Sequence, residues 1–480
     1  MPARRTRLSP SAVRTELADS LAALRRDLEL PESFPPEVRA EAVAVSAGPA
    51  VDGSDPDRTD LRDVDFLTID PEGSRDLDQA MHIARDGDGF VVRYAIADLA
   101  AFVRPGGAID DEARRRGQTL YAPDGSVPLH PEELSHGAAS LLAGEDRRAY
   151  VWTFVLDARA AVRSPASIER AWVRSRRQWT YREAQAAFDG GSAPVTIALL
   201  GVVGPLLVAQ EAERGGASLN TPEEEVVDGP AGYELRRRVP LPIEEWNAQI
   251  SLLTGMAAAA RMLAAGRGVL RTLSPADEDA LAQFRRKVEL LGRPWDDSVP
   301  YGEYLRRLDA DDPVTAAVLQ AATALFRGAD YAVFLSGAEV PEHAAQAAIG
   351  APYAHVTAPL RRLVDRFALR ACLGDVDVEA LPALPETMRR SSALASRLEN
   401  GAVDRVEAAV LHAGDVHDAV VLSEAKGGVR VQIAEPFVTA TADGAAPAGA
   451  RVRVRVVATD IAAGTVSLAV VGAEHDEDGA

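Results

Sequence analysis

The chain has 480 residues, 47% of them hydrophobic and 26% charged, ordinary values for a folded protein too long to be one small domain. Its formal net charge of −20 excludes a surface that holds nucleic acid indiscriminately, so any such binding needs a locally basic channel inside an acidic shell. A single cysteine, Cys372, excludes an intramolecular disulfide and fits the reducing cytoplasm, where the chain is expected to work.

Residues 9–30 read as an amphipathic docking helix. Ser9 is its cap, Pro10 takes the first position, and Val13, Leu17, Leu21, Leu24 and Leu28 form one stripe. Residues 31–60, rich in Pro, Gly and Asp, read as a linker or loop. From Val64 the pattern turns to strand. The turn at Asp86-Gly87-Asp88-Gly89 joins 80–84 to 90–96 as a hairpin, and 149–156 and 167–173 are further strands. Helical periodicity covers 181–210, 242–266, 275–291 and 359–373. With no internal repeat, the mixture indicates one large α+β domain. No apolar run approaches the roughly 20 residues of a membrane helix, so no membrane association is expected. After Asp404 the composition shifts to short alternating strands at 416–422, 428–433, 451–459 and 465–471, the pattern of a small five-stranded OB-fold barrel. There Arg451 and Arg453 alternate with valines and share one face. Residues 474–480 read as a tail.

The stretch 68–80 is too polar and turn-rich to be core. Asp70, Asp76 and Asp78 lie within nine residues, with Glu72 and Gln79 beside them. In an extended backbone Asp76 and Asp78 point to the same side. Crowded carboxylates repel, and a hard cation such as Mg²⁺ or Mn²⁺ removes the repulsion. A solvated acidic turn fits the spacing equally well. The order of acidic residues argues against a calcium loop.

A set of motifs resembles the ribonuclease II/R family, the RNB-domain exoribonucleases. Thr68-Ile69-Asp70 with Arg75-Asp76-Leu77-Asp78 is similar to that family's acidic signature. Ile96-Ala97-Asp98, Val103-Arg104-Pro105-Gly106, Tyr121-Ala122-Pro123 and Val127-Pro128-Leu129 follow in the family's order. Pro131-Glu132-Glu133-Leu134-Ser135, Arg174-Ser175-Arg176-Arg177 with Thr180-Tyr181, and the arginine block 353–362 complete it.

The resemblance implies an RNB catalytic domain over 58–404 and an S1-like OB-fold over 405–473. An N-terminal helix and linker, 1–57, are too short for the family's usual two cold-shock domains. The implied activity is hydrolytic, metal-dependent 3′→5′ degradation of single-stranded RNA to 5′-nucleoside monophosphates by a monomer. Asp70, Asp76, Asp78 and Gln79 are then metal ligands for Mg²⁺ or Mn²⁺, and Asp78, Asp76 and Arg361 the catalytic set. Arg361 takes a phosphate from the first turn of a helix begun by Pro359. Tyr121 stacks on a base, and Arg362, Gln249, Arg451 and Arg453 contact RNA. His355 is expected to be structural. Gln79 replaces the family's fourth aspartate, Gln249 stands near an expected glutamate, and Ala358 and Leu363 replace a serine and a tyrosine. Gln79, Gln249 and the acidic net charge support an alternative, an RNA-binding homologue with little or no catalysis acting as adaptor or regulator.

Overall fold

The computed structural model describes residues 6–8, 16–48, 57–217, 223–229, 232–309, 313–326, 328–433 and 435–473. The expected cap Ser9, Pro10, Val13 and the tail 474–480 lie outside these residues.

The larger part of the chain is built on one mixed sheet. Gln79–Asp86 and Gly89–Ala97 form the anticipated antiparallel hairpin, and Asp146–Leu156 lies against its second arm. The 14-residue strand Ser167–Thr180 then serves two neighbours. Its first half pairs antiparallel with Asp146–Leu156, and its second half runs parallel to Phe66–Asp70. Since Phe66–Asp70 also pairs with Gln79–Asp86, the sheet closes on itself. This leaves Asp70 at the end of its strand, one loop away from the start of the hairpin.

The two faces of the sheet differ in side-chain size. Met81, Ile83, Val92, Tyr94, Trp152 and Phe154 pack toward the helices Val195–Glu213, Pro242–Ala265 and Leu363–Cys372. Ala80, Ala95, Ala97, Ala149 and Ala171 face the other way, with the loop residues Leu77, Leu141 and Leu360 and the helical Leu134 packed on them. Strand alternation separates the two sets. Small residues let the loops come close to the sheet on the second side, and those loops carry the candidate site.

Several expectations change. A helix, Pro36–Ser46, stands inside the supposed linker and buries Val38 and Ala42. Its prolines do not break it, because Pro36 occupies the first turn, where proline's missing N–H costs nothing. Two helices, Val195–Glu213 and Pro242–Ala265, are long and apolar enough to cross a membrane by length and composition, contrary to the reading above. They instead pack on each other and on the sheet, and a Cβ on Gly204 would meet Trp246 at 2.3 Å. The arginine-block helix is shorter than expected. Residues around Pro359 form a turn, closed by the Arg361 and Arg362 N–H groups on Ala358 O at 3.0 and 2.9 Å, and the helix starts at Leu363.

The long helix Leu384–Val410 runs through the expected boundary at residue 404. After it, five strands close into a barrel: Val416–Ala425, Gly428–Ile433, Val438–Asp443, Arg451–Asp460 and Thr465–Ala473. Val438–Asp443 is the strand the sequence pattern did not single out. At the other end of the chain, the helix Glu16–Asp27 buries Leu17, Leu21 and Leu24. They share one core with Leu398, Ala402 and Val406 of the long helix and with Leu120 and Val127 of a short hairpin.

Candidate active site

Asp78 sits just ahead of the strand Gln79–Asp86 and is only 2% exposed. Its neighbour Leu77 and the distant Leu360 are buried in the same apolar cluster, so the two loops are fastened side by side. The Leu360 N–H then donates to Asp78 Oδ1 and Arg361 Nε donates to Oδ2, each at 2.8 Å. Ser140, fully buried, braces the acidic loop from behind. Its hydroxyl donates to the Arg75 carbonyl at 2.6 Å and accepts from the Leu77 N–H at 3.0 Å.

Asp70 and Asp76 stand beside this pair. Burial pushes the Asp78 carboxyl up to about 7, with Arg361 pulling it back. Burial likewise raises Asp70 to about 6, again opposed by Arg361 and increased by Asp76. One Asp70 oxygen, Oδ2, is buried with no hydrogen-bond partner. Desolvated carboxylates held this way favour protonation or a cation. Arg361 serves all three. Burial works against its charge, but Asp78, Tyr121 and Asp76 more than offset that and hold it cationic. Its side chain still keeps 39% of its exposure.

Tyr121 lies on the hairpin Leu120–Ala122 and Gly125–Val127, whose inward residues are Leu120 and Val127. The alternation turns Tyr121 outward, 53% exposed, with its hydroxyl toward Arg361. Behind the hairpin tip, Arg25 of the first helix forks Asp124, with Nη1 and Nη2 each at 2.6 Å from a carboxylate oxygen.

The remaining expected residues fare differently. The Gln79 amide is engaged: its NH₂ donates to the Thr357 carbonyl and its oxygen accepts from the Tyr94 hydroxyl at 3.1 Å. It braces the strand against the arginine loop instead of standing open beside the aspartates. Gln249 is 3% exposed and donates to Glu211 inside the helical layer, so it offers nothing to RNA, contrary to expectation. Arg362 forks Asp365 through Nε and Nη2, both at 2.8 Å, and is a structural residue of the helix start. His355 is half-buried against Tyr331, whose hydroxyl lies 2.7 Å from Nδ1, in line with a structural role. Arg451 and Arg453 are exposed on the barrel strand facing away from its valines. Sequence reasoning missed Ser140 and the Arg25–Asp124 fork, because nothing local marks a residue whose partner lies more than sixty positions away.

Among the described residues no three His, Cys, Asp or Glu side chains converge closely enough to hold a metal ion. Asp78 is turned to Leu360 and Arg361. The donor chemistry nevertheless fits a hard divalent cation: all oxygen, negatively charged, and with one buried oxygen lacking a partner.

Comparison with known proteins supports the same architecture. The RNB domain family matches residues 58–372, and the RNase II-type exonuclease C-terminal S1 domain matches 415–471. Ribonuclease R of Escherichia coli (strain K12) is 29% identical over 337 residues, 65% of this chain and 40% of that protein. The chain thus spans about two fifths of the length of the curated relatives it matches over more than half of its own. The solved structure of Mycoplasma genitalium RNase R in complex with ribose methylated single-stranded RNA superposes with a TM-score of 0.84 at 18% identity, covering 95% of this chain and 78% of that one. Yeast Ssd1, a pseudonuclease, superposes with a TM-score of 0.67 at 16% identity, covering 93% of this chain and 59% of that one. With its acidic loop, its arginine turn and its C-terminal barrel in the matched order, this chain belongs to the RNB-domain exoribonuclease family and carries an RNase II-type S1 domain.

Proposed function

We propose that the chain is a metal-dependent 3′→5′ exoribonuclease that hydrolyses single-stranded RNA to 5′-nucleoside monophosphates. The observation that carries this reading is the buried Asp78, held on both oxygens by the Leu360 N–H and Arg361, beside an Asp70 oxygen without a partner. Arg361 is the only arginine of the block that joins these carboxylates while keeping exposed surface, so it can bind the phosphate next to the bond being cut. The exposed Tyr121 ring supplies a stacking platform for a base near the 3′ end, worth roughly 1–3 kcal/mol. Asp70, Asp76 and Asp78 would hold Mg²⁺ or Mn²⁺, which polarises water and neutralises charge on the phosphate. In the reaction a water oxygen bonds to phosphorus, the bond to the upstream 3′ oxygen breaks, and that oxygen leaves as a hydroxyl. Arg451 and Arg453 would draw the RNA backbone toward the barrel.

Incubating the full chain with 5′-end-labelled single-stranded RNA and Mg²⁺ or Mn²⁺ tests this. Stepwise shortening with release of monophosphates supports it. RNA that is bound but stays full length with either metal overturns it in favour of the second reading, an RNA-binding homologue without hydrolysis. That reading has its own support in Gln79, whose amide is engaged at the position where the family has a further carboxylate.

A further inference from the structure

We infer that the chain has a second anion site, for a phosphate-class oxyanion, in an arginine-lined cavity behind the arginine turn. The cavity measures about 170 Å³ and contains none of the candidate catalytic residues. Arg366 and Arg370 enter it from the helix Leu363–Cys372, Arg114 and Asp110 from the helix Ala108–Arg116, and Arg170 from the sheet, with Asp375 at its edge.

The charges in this space do not balance. Asp110 is already saturated: Arg366 donates to Oδ1, while Arg114 Nε and the Gly106 N–H donate to Oδ2 at 3.1 and 3.0 Å. Asp375 is taken up by a fork from Arg370 at 2.9 and 3.0 Å. A third lining carboxylate, Asp377, accepts the Ala380 N–H at 2.9 Å. Four guanidinium groups therefore face three carboxylates. Two guanidinium nitrogens, Arg366 Nη1 and Arg170 Nε, are buried with no hydrogen-bond partner, although the groups lie over the Phe367 and Tyr150 rings. Arg366 has a side chain only 5% exposed, so bulk water does not screen it. A buried cationic donor without an acceptor is costly. The space equals several waters at roughly 30 Å³ each, ample for one tetrahedral oxyanion. Such an anion accepts from forked guanidinium groups more strongly than water does.

The ligand is either free inorganic phosphate or the terminal phosphate of a nucleotide, and the experiment separates them. The melting temperature of the full chain is followed against inorganic phosphate, with potassium chloride at matched ionic strength as control. The measurement is repeated in Arg361→Ala, which removes the phosphate partner proposed for the active site. Phosphate is expected to raise the melting temperature in the wild type and in Arg361→Ala alike, by mass action on the folded state. The rise is expected to shrink by roughly half or more in Arg170→Gln, as one charge-assisted bond is lost. Arg366→Gln should remove more of it but breaks the buried pair with Asp110. Arg170→Gln leaves that pair and the Asp375 fork in place, so it decides the question if the harsher variant does not fold. A nucleoside 5′-monophosphate that matches or exceeds phosphate in Arg361→Ala identifies a nucleotide ligand. A rise with inorganic phosphate alone identifies the free anion. The proposal falls if chloride gives the same rise, if Arg361→Ala abolishes it, or if it persists undiminished in Arg170→Gln.

Discussion

Arg361 and Arg362 are neighbours in sequence and each meets a buried aspartate, yet the two corners of the molecule are built to opposite plans. Arg362 grips Asp365, three residues along its own helix, with two donors at 2.8 Å, and Asp365 also accepts the Ala358 N–H at 2.7 Å. That corner is closed, local and fully buried on the acid side. Arg361 instead crosses the domain to Asp78 and spends one Nε bond there, next to Asp70, Asp76 and the exposed Tyr121. The mere presence of an arginine–aspartate pair does not mark a working site. What marks it is the more exposed cation, 39% against 26% for Arg362, together with acids that are left under-compensated.

The largest expected effect comes from the open corner. Asp78→Asn should lower RNA hydrolysis by on the order of a hundredfold or more while RNA binding, measured by filter retention, holds or tightens. Near wild-type turnover would place the active site elsewhere. The closed corner should answer in stability. Arg362→Ala leaves the buried Asp365 charge without its fork, and breaking such a pair costs about 3–5 kcal/mol, read from denaturant unfolding. Arg361→Ala should cost less stability, because Asp78, already raised to about 7, can protonate in its absence. It should cut turnover instead. Equal losses of stability in the two alanine variants would erase the distinction between the corners.

The acids supply a third contrast. Asp70 and Asp78 sit at about 6 and about 7 in the fold against an ordinary 3.8, so the folded chain favours their protonated forms. Their contribution is complete below the ordinary value and lost as pH rises through 6 to 7. In chelator, the melting temperature should therefore fall between pH 5 and pH 8, with a shallower fall in Asp70→Asn. Identical slopes would mean that Asp70 is not under-compensated. The smallest effect is expected at the hairpin. Arg25→Ala should loosen Tyr121 and lengthen the residual oligomer on a denaturing gel with little change in initial rate. The exchange Arg25→Asp with Asp124→Arg should restore the end point. A product length indifferent to both would detach the first helix from the site.

Much of this was legible in the sequence wherever the cause was local. The hairpin around Gly87, the helix Pro242–Ala265 and four of the five barrel strands follow from alternation and periodicity within their own residues. The aspartates and Arg361 were legible as a pattern in order. Asp78's actual partners were not, because the contact depends on Leu77 and Leu360 sharing one buried cluster across 283 positions. The partners of Gln79 and Gln249 were not legible for one reason: an amide's role is set by whichever polar atom the packing brings to it, here Thr357 and Tyr94 for one and Glu211 for the other. Pro36–Ser46 was missed because its prolines read as breakers when position made them starters.

The buried Ser20 ties three remote parts of the chain into one joint. Its hydroxyl donates to the Ile461 carbonyl in a barrel loop at 2.8 Å and accepts from Arg405 of the long helix at 2.9 Å. About one turn beyond Ser20 on the first helix, Arg25 holds the hairpin that carries Tyr121. The first helix therefore fastens the barrel loop, the long helix and the hairpin that carries Tyr121 to one another. Proteolytic loss of this short segment would strip a brace from barrel and hairpin together and leave both resting on the long helix alone, although neither had itself been cut.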